Sequence, residues 1–199
     1  MRKVLSYSLI FFLTFVSFGQ VHNYDVYWGK DKIGEIKAVK SSHKGTTTLQ
    51  IKSEVSFKLM GTHNRTSDLS AKYKNNRLQE SLAISTFDDK EEDQTSTRFN
   101  SASSNYTFKK NPDLQMTWDS DITFSVAKLW FHEPVGISTL FSEVYLDNCT
   151  VNELKPHYYE LIMPDKKTTQ YQYENGVLTK VIVKRVAFTL EFRLNTTPN

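Results

Sequence analysis

Residues 49–59 alternate between apolar and polar side chains, and this pattern limits the fold more than any other feature of the sequence. The even positions from Thr48 to Lys58 are all polar. The odd positions are Leu49, Ile51, Ser53, Val55, Phe57 and Leu59. A period of two residues places successive side chains on opposite faces of an extended strand. The segment therefore predicts a long strand with one face in a core and the other in water.

Shorter alternating runs, separated by turns, follow along the rest of the chain. Asn75-Asn76 and Asn175-Gly176 lie between such runs, and Asn and Gly tolerate the positive φ of tight hairpin turns. Because the links are short, neighbouring strands are expected to be antiparallel. We predict a mainly β fold: a strongly curved antiparallel sheet, either a half-barrel or a partly closed barrel, in one domain over residues 20–199. Further strands are expected at residues 24–28, 33–39, 69–73, 78–84, 94–99, 105–108, 157–163, 171–173, 177–183 and 188–194.

One segment, residues 118–143, departs from the period of two. After Asp119-Ser120-Asp121, which can cap a helix, apolar residues recur at helical spacing. They are Ile122, Val126, Leu129 and Trp130, with Phe124, Ala127 and Phe131 beside them. We therefore predict a short helix over Ile122–Phe131 and a second helical turn from Ser138, packed on the concave face of the sheet. Both tryptophans of the segment should then be mostly buried.

The first residues predict export. Two basic residues precede an apolar run from Val4 to Val16, and Ser17-Phe18-Gly19 supplies the small residues that cleavage requires. We predict a signal peptide over residues 1–19, a mature chain that begins at Gln20, and a periplasmic or extracellular location, with association to the envelope left open. A retained anchor is the alternative, but the run is shorter than the ~20 apolar residues of a spanning helix. No transmembrane span is expected after the signal is removed.

The charge balance argues against a polyanionic partner. The formal net charge of the 199 residues is +3, and it falls to +1 when Arg2 and Lys3 are removed with the signal. A nearly neutral domain has no long-range field with which to attract nucleic acid. Cys149 is the single cysteine, so no internal disulfide can form and stability must come from the core.

No motif of a common enzyme chemistry occurs in the sequence. The five histidines are scattered, and H-E-x-x-H and paired-cysteine motifs are absent, so we expect no metal site. G-x-S-x-G and phosphate-binding glycine loops are also absent, and we expect no cofactor. Cys149 could act as a nucleophile with His132 or His157 as its base, but a small buried side chain is the simpler interpretation. The sequence favours a protein without catalytic activity.

The residues around the predicted helix form the candidate site. Phe124, Leu129 and Trp130 are expected to line an apolar pocket, with His132 and Glu133 as its polar end. The alternative places both polar groups in water. Such a pocket predicts a binding or carrier module for an apolar, lipid-like ligand or an envelope protein, with the helix as a lid. Two other functions stay open: a structural domain with a packed interior, and a hydrolase that uses His132 and Glu133.

Several short motifs together resemble a known family. They are a signal that ends in Gly-Gln, Tyr24-Asp25-Val26-Tyr27 with Ile33-Gly34-Glu35, the stretch LWFHEPVG at residues 129–136, and Glu174-Asn175-Gly176. The set looks like a family of uncharacterised exported proteins from Bacteroidetes with a domain of unknown function. The resemblance implies an envelope location and a β-rich fold, and it transfers no catalytic residue. The predicted architecture is similar to that of the half-barrels of periplasmic lipoprotein carriers, and the similarity extends to architecture only.

Overall fold

A computed structural model describes residues 19–58, 60–110 and 114–196, which form fourteen strands and one short helix. The first eight strands are β1 (Gly19–Trp28), β2 (Asp31–His43), β3 (Thr46–Lys58), β4 (Thr62–Lys74), β5 (Arg77–Phe87), β6 (Lys90–Asn100), β7 (Asn105–Lys110) and β8 (Leu114–Trp118). The helix α1 (Val126–Leu129) is followed by β9 (Thr139–Ser142), β10 (Asp147–Lys155), β11 (Tyr158–Ile162), β12 (Thr168–Glu174), β13 (Val177–Lys184) and β14 (Thr189–Leu194). The predicted signal peptide lies outside the described residues, apart from Gly19. No helix in the described ranges is long and apolar enough to cross a membrane.

All fourteen strands belong to one antiparallel sheet. Its order is β8-β7-β6-β5-β4-β3-β2-β1-β14-β13-β12-β11-β10-β9. The first and last strands of the chain therefore pair in the middle of the sheet, and every other neighbouring pair is consecutive in sequence. The short turns predicted this antiparallel arrangement of consecutive strands. β8 and β9 form the two edges.

The two predicted hairpin turns have the backbone geometry that their residues favour. Between β4 and β5, Asn75 and Asn76 have φ values of 51° and 62°. Between β12 and β13, Asn175 and Gly176 have φ values of 51° and 76°. Positive φ at both central residues produces the twist that joins two antiparallel strands tightly. Both hairpins are confirmed.

The sheet curves until its two ends approach each other. The ring centroids of Phe108 on β7 and Phe141 on β9 are 5.2 Å apart. Thr95 Oγ1 on β6 donates a 2.7 Å hydrogen bond to the carbonyl oxygen of Glu143, just after β9. Between β8 and β9 the described residues form no strand ladder, so the sheet is strongly curved but unclosed. One cluster of buried apolar side chains from both halves fills its inner face. The prediction of a mainly β, curved antiparallel sheet is confirmed.

A connecting stretch, residues 119–138, crosses the inside of the barrel and is called the inner segment below. Leu78 N on β5 donates a 2.9 Å hydrogen bond to Ile122 O. Tyr173 Oη on β12 donates a 2.7 Å hydrogen bond to Leu129 O. Because β5 and β12 belong to opposite halves of the sheet, the inner segment links the two halves. Trp130 within it is buried as expected, whereas Trp118 just before it is only partly buried.

The helix predicted over Ile122–Phe131 is wrong for most of its length, because only Val126–Leu129 is helical. Ser125 before it is extended, with φ −140° and ψ 174°, and forms a parallel bridge with Phe141. A buried segment must satisfy its backbone groups, and contacts with strands do so where a short helix is weak by itself. The second helical turn is also wrong, because residues from Thr139 form β9 and pair with β10. Helical packing on the concave face is thus not confirmed beyond one turn.

Candidate functional site

The inner segment brings the three predicted apolar site residues to one end of the core. Leu129 is 1% exposed and Trp130 is 7% exposed, whereas Phe124 is partly buried. Phe124 O accepts a 3.1 Å hydrogen bond from the backbone of Phe141, and Leu129 O accepts the bond from Tyr173. A lid movement would have to break both bonds. This end of the barrel is therefore closed by a segment that is anchored on two sides.

The two predicted polar site residues have separate partners. His132 is exposed, and its Nε2 lies 3.0 Å from Lys40 Nζ. Although the residue as a whole is exposed, partial desolvation of its ring and the nearby Lys40 and Lys128 charges lower the pKa of His132, which favours a neutral ring at this contact. Glu133 Oε1 instead accepts a 2.7 Å hydrogen bond from Tyr159 Oη and lies 2.9 Å from His157 Nδ1. His132 and Glu133 thus contact different elements and do not converge on a common point.

A buried carboxyl group lies behind the inner segment. Glu143 is 1% exposed, and its Oε1 accepts a hydrogen bond from Ser125 Oγ, which is 2.6 Å from Tyr73 Oη. Glu143 Oε2 is buried and has no hydrogen-bond partner among the described residues. Burial raises the pKa of Glu143 to about 7. Because the cluster is sealed from solvent, we assign it the structural role of holding Ser125 and α1 in place.

Cys149 occupies a buried position on β10, which confirms the simpler interpretation of this residue. Its side chain is 1% exposed, and burial raises the pKa of the Cys149 thiol to about 12. A thiol that stays protonated is a poor nucleophile, since the thiolate is the reactive form. Across the part of the chain that the structure describes, no three His, Cys, Asp or Glu side chains are placed to hold a metal ion.

Five ring side chains form a cluster at the opposite end of the inner face. This aromatic rim consists of Trp28, Phe57, His63, Phe87 and Phe188. The Phe57 ring lies 6.1 Å from Trp28 and 6.4 Å from Phe87, between centroids. His63 stacks on Phe87 at 5.2 Å, and Phe188 lies 6.1 Å from Trp28. None of the five is fully buried, and Phe188 is 38% exposed.

The inner face becomes more exposed along β3, from the core toward the rim. Leu49 and Ile51 are buried, but Ser53, Val55 and Phe57 on the same face are only partly buried. A strand of 13 residues is about 40 Å long at the usual rise per residue. The inner segment is anchored at the far end of these strands and covers part of that length. The inner face near the aromatic rim is therefore accessible to solvent.

An open pocket of about 360 Å³ adjoins the aromatic rim. Its apolar side is formed by Trp28, Ile33 and Phe57. Asp31, Lys32 and Lys58 line it as well, with the hydroxyl groups of Ser56 and Thr62. Lys32 pairs with Asp25 at 2.8 Å and with Glu35 at 2.6 Å, whereas Lys58 forms no ion pair with a described residue. The pocket thus combines an apolar wall with an available cation.

The alternating pattern does not identify the aromatic rim as a site. It places Phe57 and Phe188 on strands and predicts that their apolar faces lie in the core. Alternation indicates which side chains share a face, but it does not indicate whether anything covers that face. The available signal was length, because the apolar face at residues 49–59 is longer than a short connecting segment can cover.

The sequence of the chain matches the profile of one protein family. The profile of a family described as Domain of unknown function (DUF6134) matches residues 24–195, most of the chain. The protein is a member of this family. The match confirms the resemblance to a β-rich family of unknown function, while export and a Bacteroidetes origin stay predictions. No curated protein matches the sequence of the DUF6134 protein significantly.

A solved structure is similar to the DUF6134 protein in fold. It is the crystal structure of a β-barrel-like protein of the domain of unknown function DUF1849 from Brucella abortus. The two share 10% sequence identity with a TM-score of 0.52, over 88% of this chain and 95% of that chain. At this identity the likeness shows the fold alone. It agrees with the curved, barrel-like sheet described above.

Proposed function

We propose that the DUF6134 protein is an exported, non-catalytic binding module that holds an apolar, lipid-like ligand on its aromatic rim. The observation that supports this most is the uneven covering of the inner face. One end is packed around Leu129 and Trp130, while five adjoining rings at the other end stay partly in water. Covering apolar area gains roughly 25 cal/mol per Å². A ligand that lies across the rings gains this free energy without opening the packed end.

The pocket beside the rim favours a ligand that has an acidic head group. An acyl chain would lie along Trp28, Ile33 and Phe57, which form the apolar side of the pocket. A carboxylate at the end of that chain would lie at the edge of the pocket, where Lys58 forms no ion pair with a described residue. A single-chain fatty acid combines both features, so it is the ligand class that we propose.

The five site residues that the sequence predicts lie away from the proposed ligand site. They are Phe124, Leu129, Trp130, His132 and Glu133. The Trp130 ring is buried in the packed end and stacks on Phe192 of β14, with centroids 6.4 Å apart and planes 15° apart. Phe124 and Leu129 anchor the inner segment, whereas His132 and Glu133 belong to its far end. Direct contact with the ligand is proposed for none of these five, and their roles in binding stay predictions.

A structural domain without a ligand is the competing function. The burial of Leu129 and Trp130 favours it, because the end of the barrel where the sequence predicted a pocket is packed. The two functions differ at the rim. A structural domain would leave the rim as an unused surface, and a binding module would bind apolar molecules there saturably.

Quenching of tryptophan fluorescence by a brominated fatty acid distinguishes the two functions. Bromine quenches on contact, so titration with dibromostearic acid should lower the fluorescence of the mature protein saturably, while stearic acid should not. Trp28→Phe should remove most of the quenching. Trp118→Phe is the matched control and should leave it intact, since Trp118 lies on β8 and outside the rim.

A second pair of variants distinguishes the effect of removing a rim residue from the general effect of losing an aromatic ring. Phe57→Ser should weaken binding of the acid roughly tenfold or more, given the apolar area that it removes. Phe99→Ser changes another partly buried ring, which packs on Tyr106 outside the rim, and should leave binding unchanged. Native mass spectrometry of gently purified protein should also detect a bound apolar molecule. Absence of saturable quenching would favour the packed structural domain.

A further inference from the structure

Another open pocket lies at the packed end of the barrel, between the ends of β2, β3 and β4 and the inner segment. Lys40 on β2 pairs with Leu49 near the start of β3, whereas Phe57 of the rim lies near the end of β3. The pocket has a volume of about 170 Å³. A cavity needs roughly 10–15 Å³ to hold one water molecule, so a small polar ligand fits here. The polar residues that line it are Lys40, Thr47, Asn75, Asn76, Lys128 and His132.

Two lysines and a histidine are held together in this pocket. Lys40 Nζ lies 3.0 Å from His132 Nε2. Lys128 Nζ donates hydrogen bonds to Asn76 Oδ1 at 2.6 Å and to Thr123 O at 2.5 Å, which fix its position. An ammonium group has three N–H donors. Among the described residues Lys40 uses one of its donors, on His132, so two remain for a ligand.

The positive charges of this cluster are not compensated within the pocket. None of the described residues that line it is acidic, and neither Lys40 nor Lys128 forms an ion pair with a described residue. Burial lowers the pKa of Lys40, and burial together with the Lys40 charge lowers the pKa of Lys128 to about 8. Partial desolvation and both lysine charges lower the pKa of His132 as well. An anion in the pocket would offset this repulsion.

The acidic residues around this end lie outside the pocket, and most of them are paired. Glu143 is sealed in the core behind Ser125, where burial favours its neutral form. The others are Glu80, paired with Lys72 at 3.3 Å, Asp121, paired with Arg77 at 3.5 Å, Glu133, paired with His157 at 2.9 Å, and Asp119, which follows β8, six strands from β2 in the sheet order. Lys44 and Lys74 beside the adjoining turns form no ion pair with a described residue. The mouth of the pocket is therefore positive.

We propose that this pocket binds a tetrahedral oxyanion, a sulfate or phosphate group, held by Lys40 and His132 and by the charge of Lys128. Lysine ammonium groups bind phosphate as compact point charges. The positive groups come from β2 on one side and from the inner segment on the other. This arrangement suits an anion with acceptor oxygens on several sides better than a planar carboxylate. A bound oxyanion would tie β2 to the inner segment and so stabilise the packed end. The site does not depend on the proposed function, because the aromatic rim lies at the opposite end of β3.

Calorimetric titration of the mature protein with sodium sulfate at low ionic strength tests this site. Sulfate and phosphate should each bind at one site per chain, and acetate should bind roughly tenfold more weakly or worse. Lys40→Gln should weaken sulfate binding roughly tenfold or more, because it removes a charge-assisted hydrogen bond. Lys37→Gln is the matched control, since it removes the same charge from the exposed face of the same strand, and it should bind as the wild type does. Equal affinity of the two variants for sulfate, or equal affinity of the wild type for acetate and sulfate, would overturn the proposal.

The ionisation of His132 provides a readout that does not depend on stability. An anion favours the imidazolium form, so saturating sulfate should raise the pKa of His132 in an NMR titration of its ring. Sulfate should also bind more tightly as the pH falls from about 7 to about 5.5, because the anion itself keeps its double charge over this range. The other charged or titratable groups around the pocket are His22 of β1, Lys40 and His43 of β2, Lys44 of the β2–β3 turn, Tyr73 of β4 and Lys128 of the inner segment. His132→Gln should remove most of the pH dependence, whereas His22→Gln should keep it. A pKa of His132 that sulfate does not change would contradict the proposal.

Two phosphate esters distinguish the sources of the oxyanion. Glucose 6-phosphate presents the group on a saccharide, and dihexanoyl phosphatidic acid presents it as a lipid head group. An ester that binds more tightly than inorganic phosphate identifies that source, and weaker binding of both esters identifies the free ion. Quenching by dibromostearic acid keeps the two proposals separate. Intact quenching without sulfate binding rejects the oxyanion site alone, and sulfate binding without quenching rejects the rim site alone.

Discussion

The ionisation of Glu143 is coupled to folding, which makes this residue a sensitive probe of the packed end. Its carboxyl group is fully enclosed, with Oε1 bonded to Ser125 and with Oε2 lacking a partner among the described residues. Burial raises its pKa from the ordinary value of 4.5 to about 7 in the folded protein. The unfolded chain keeps the ordinary value because water solvates the group there. Between about pH 4.5 and pH 7, the native state therefore binds a proton that the unfolded chain has released.

The sign and size of the effect follow from this difference. When the native state binds more protons than the unfolded state, the free energy of unfolding decreases as the pH rises. Glu143 therefore contributes most stability below about pH 4.5 and loses that contribution by the time the pH has passed about 7. Two pKa values that are about 2.5 apart correspond to about 3 kcal/mol. Such a loss is a large fraction of the 5–15 kcal/mol by which domains are usually stable.

The variant Glu143→Gln isolates this contribution. Glutamine has nearly the same shape, keeps an oxygen for Ser125, and resembles the protonated carboxyl group at every pH. Urea unfolding from pH 4.5 to pH 8 should show similar stabilities at the acidic end and a variant more stable by about 3 kcal/mol at pH 8. The difference between the two proteins cancels the titration of other groups. A difference that does not change with pH, or a wild type that gains on the variant as the pH rises, would refute the reasoning.

Three further predictions concern the packing of the barrel. Gly34→Ala should destabilise the protein by about 1–3 kcal/mol in thermal unfolding, because the new Cβ would overlap the carbonyl oxygen of Glu54. An unchanged melting temperature would mean that β2 and β3 can separate without cost. Tyr173→Phe should cost about 1–3 kcal/mol in urea unfolding, since it deprives the buried Leu129 carbonyl of its donor. A variant as stable as the wild type would show that the inner segment is not anchored there. The Cys149 thiol should react with Ellman's reagent only after unfolding, and fast reaction of the native protein would contradict its burial.

Local patterns predicted the strands and turns because both have a local physical cause. The alternation at residues 49–59 and the Asn75-Asn76 turn depend only on neighbouring side chains and on backbone preferences, so one sequence is enough to identify them. The pairing of β1 with β14 is different. Tyr24 and Leu194 are partners in the sheet, yet no property of either residue specifies the other. The pairing of β1 with β14 in the middle of the sheet therefore could not be predicted from periodicity.

The inner segment shows where periodicity misleads. Residues 122–131 are apolar nearly all round, which is typical of any fully buried segment, helical or extended. The deciding contacts are distant ones: Ile122 accepts a hydrogen bond from Leu78, and Ser125 forms its bridge with Phe141. These contacts take up backbone groups that a continuous helix would use internally. The position of the open face is not encoded locally either, since the sequence does not reveal which part of the long apolar face the segment covers.

In the proposed function, the two ends of the barrel separate stability from binding. At the packed end, Phe108 is 0% exposed and contacts Phe141 across the gap between the sheet edges, so its burial contributes to holding the curved sheet together. At the open end, Phe57 occupies the same inner face but stays partly in water, so less of its transfer free energy is used in folding. The unused part of that free energy would be available to the proposed ligand. Because the long strands connect both ends rigidly, a ligand can bind at the rim while the inner segment, Glu143 and the core remain in place. This proposed division requires no lid, and it would account for strands that extend well beyond the packed core.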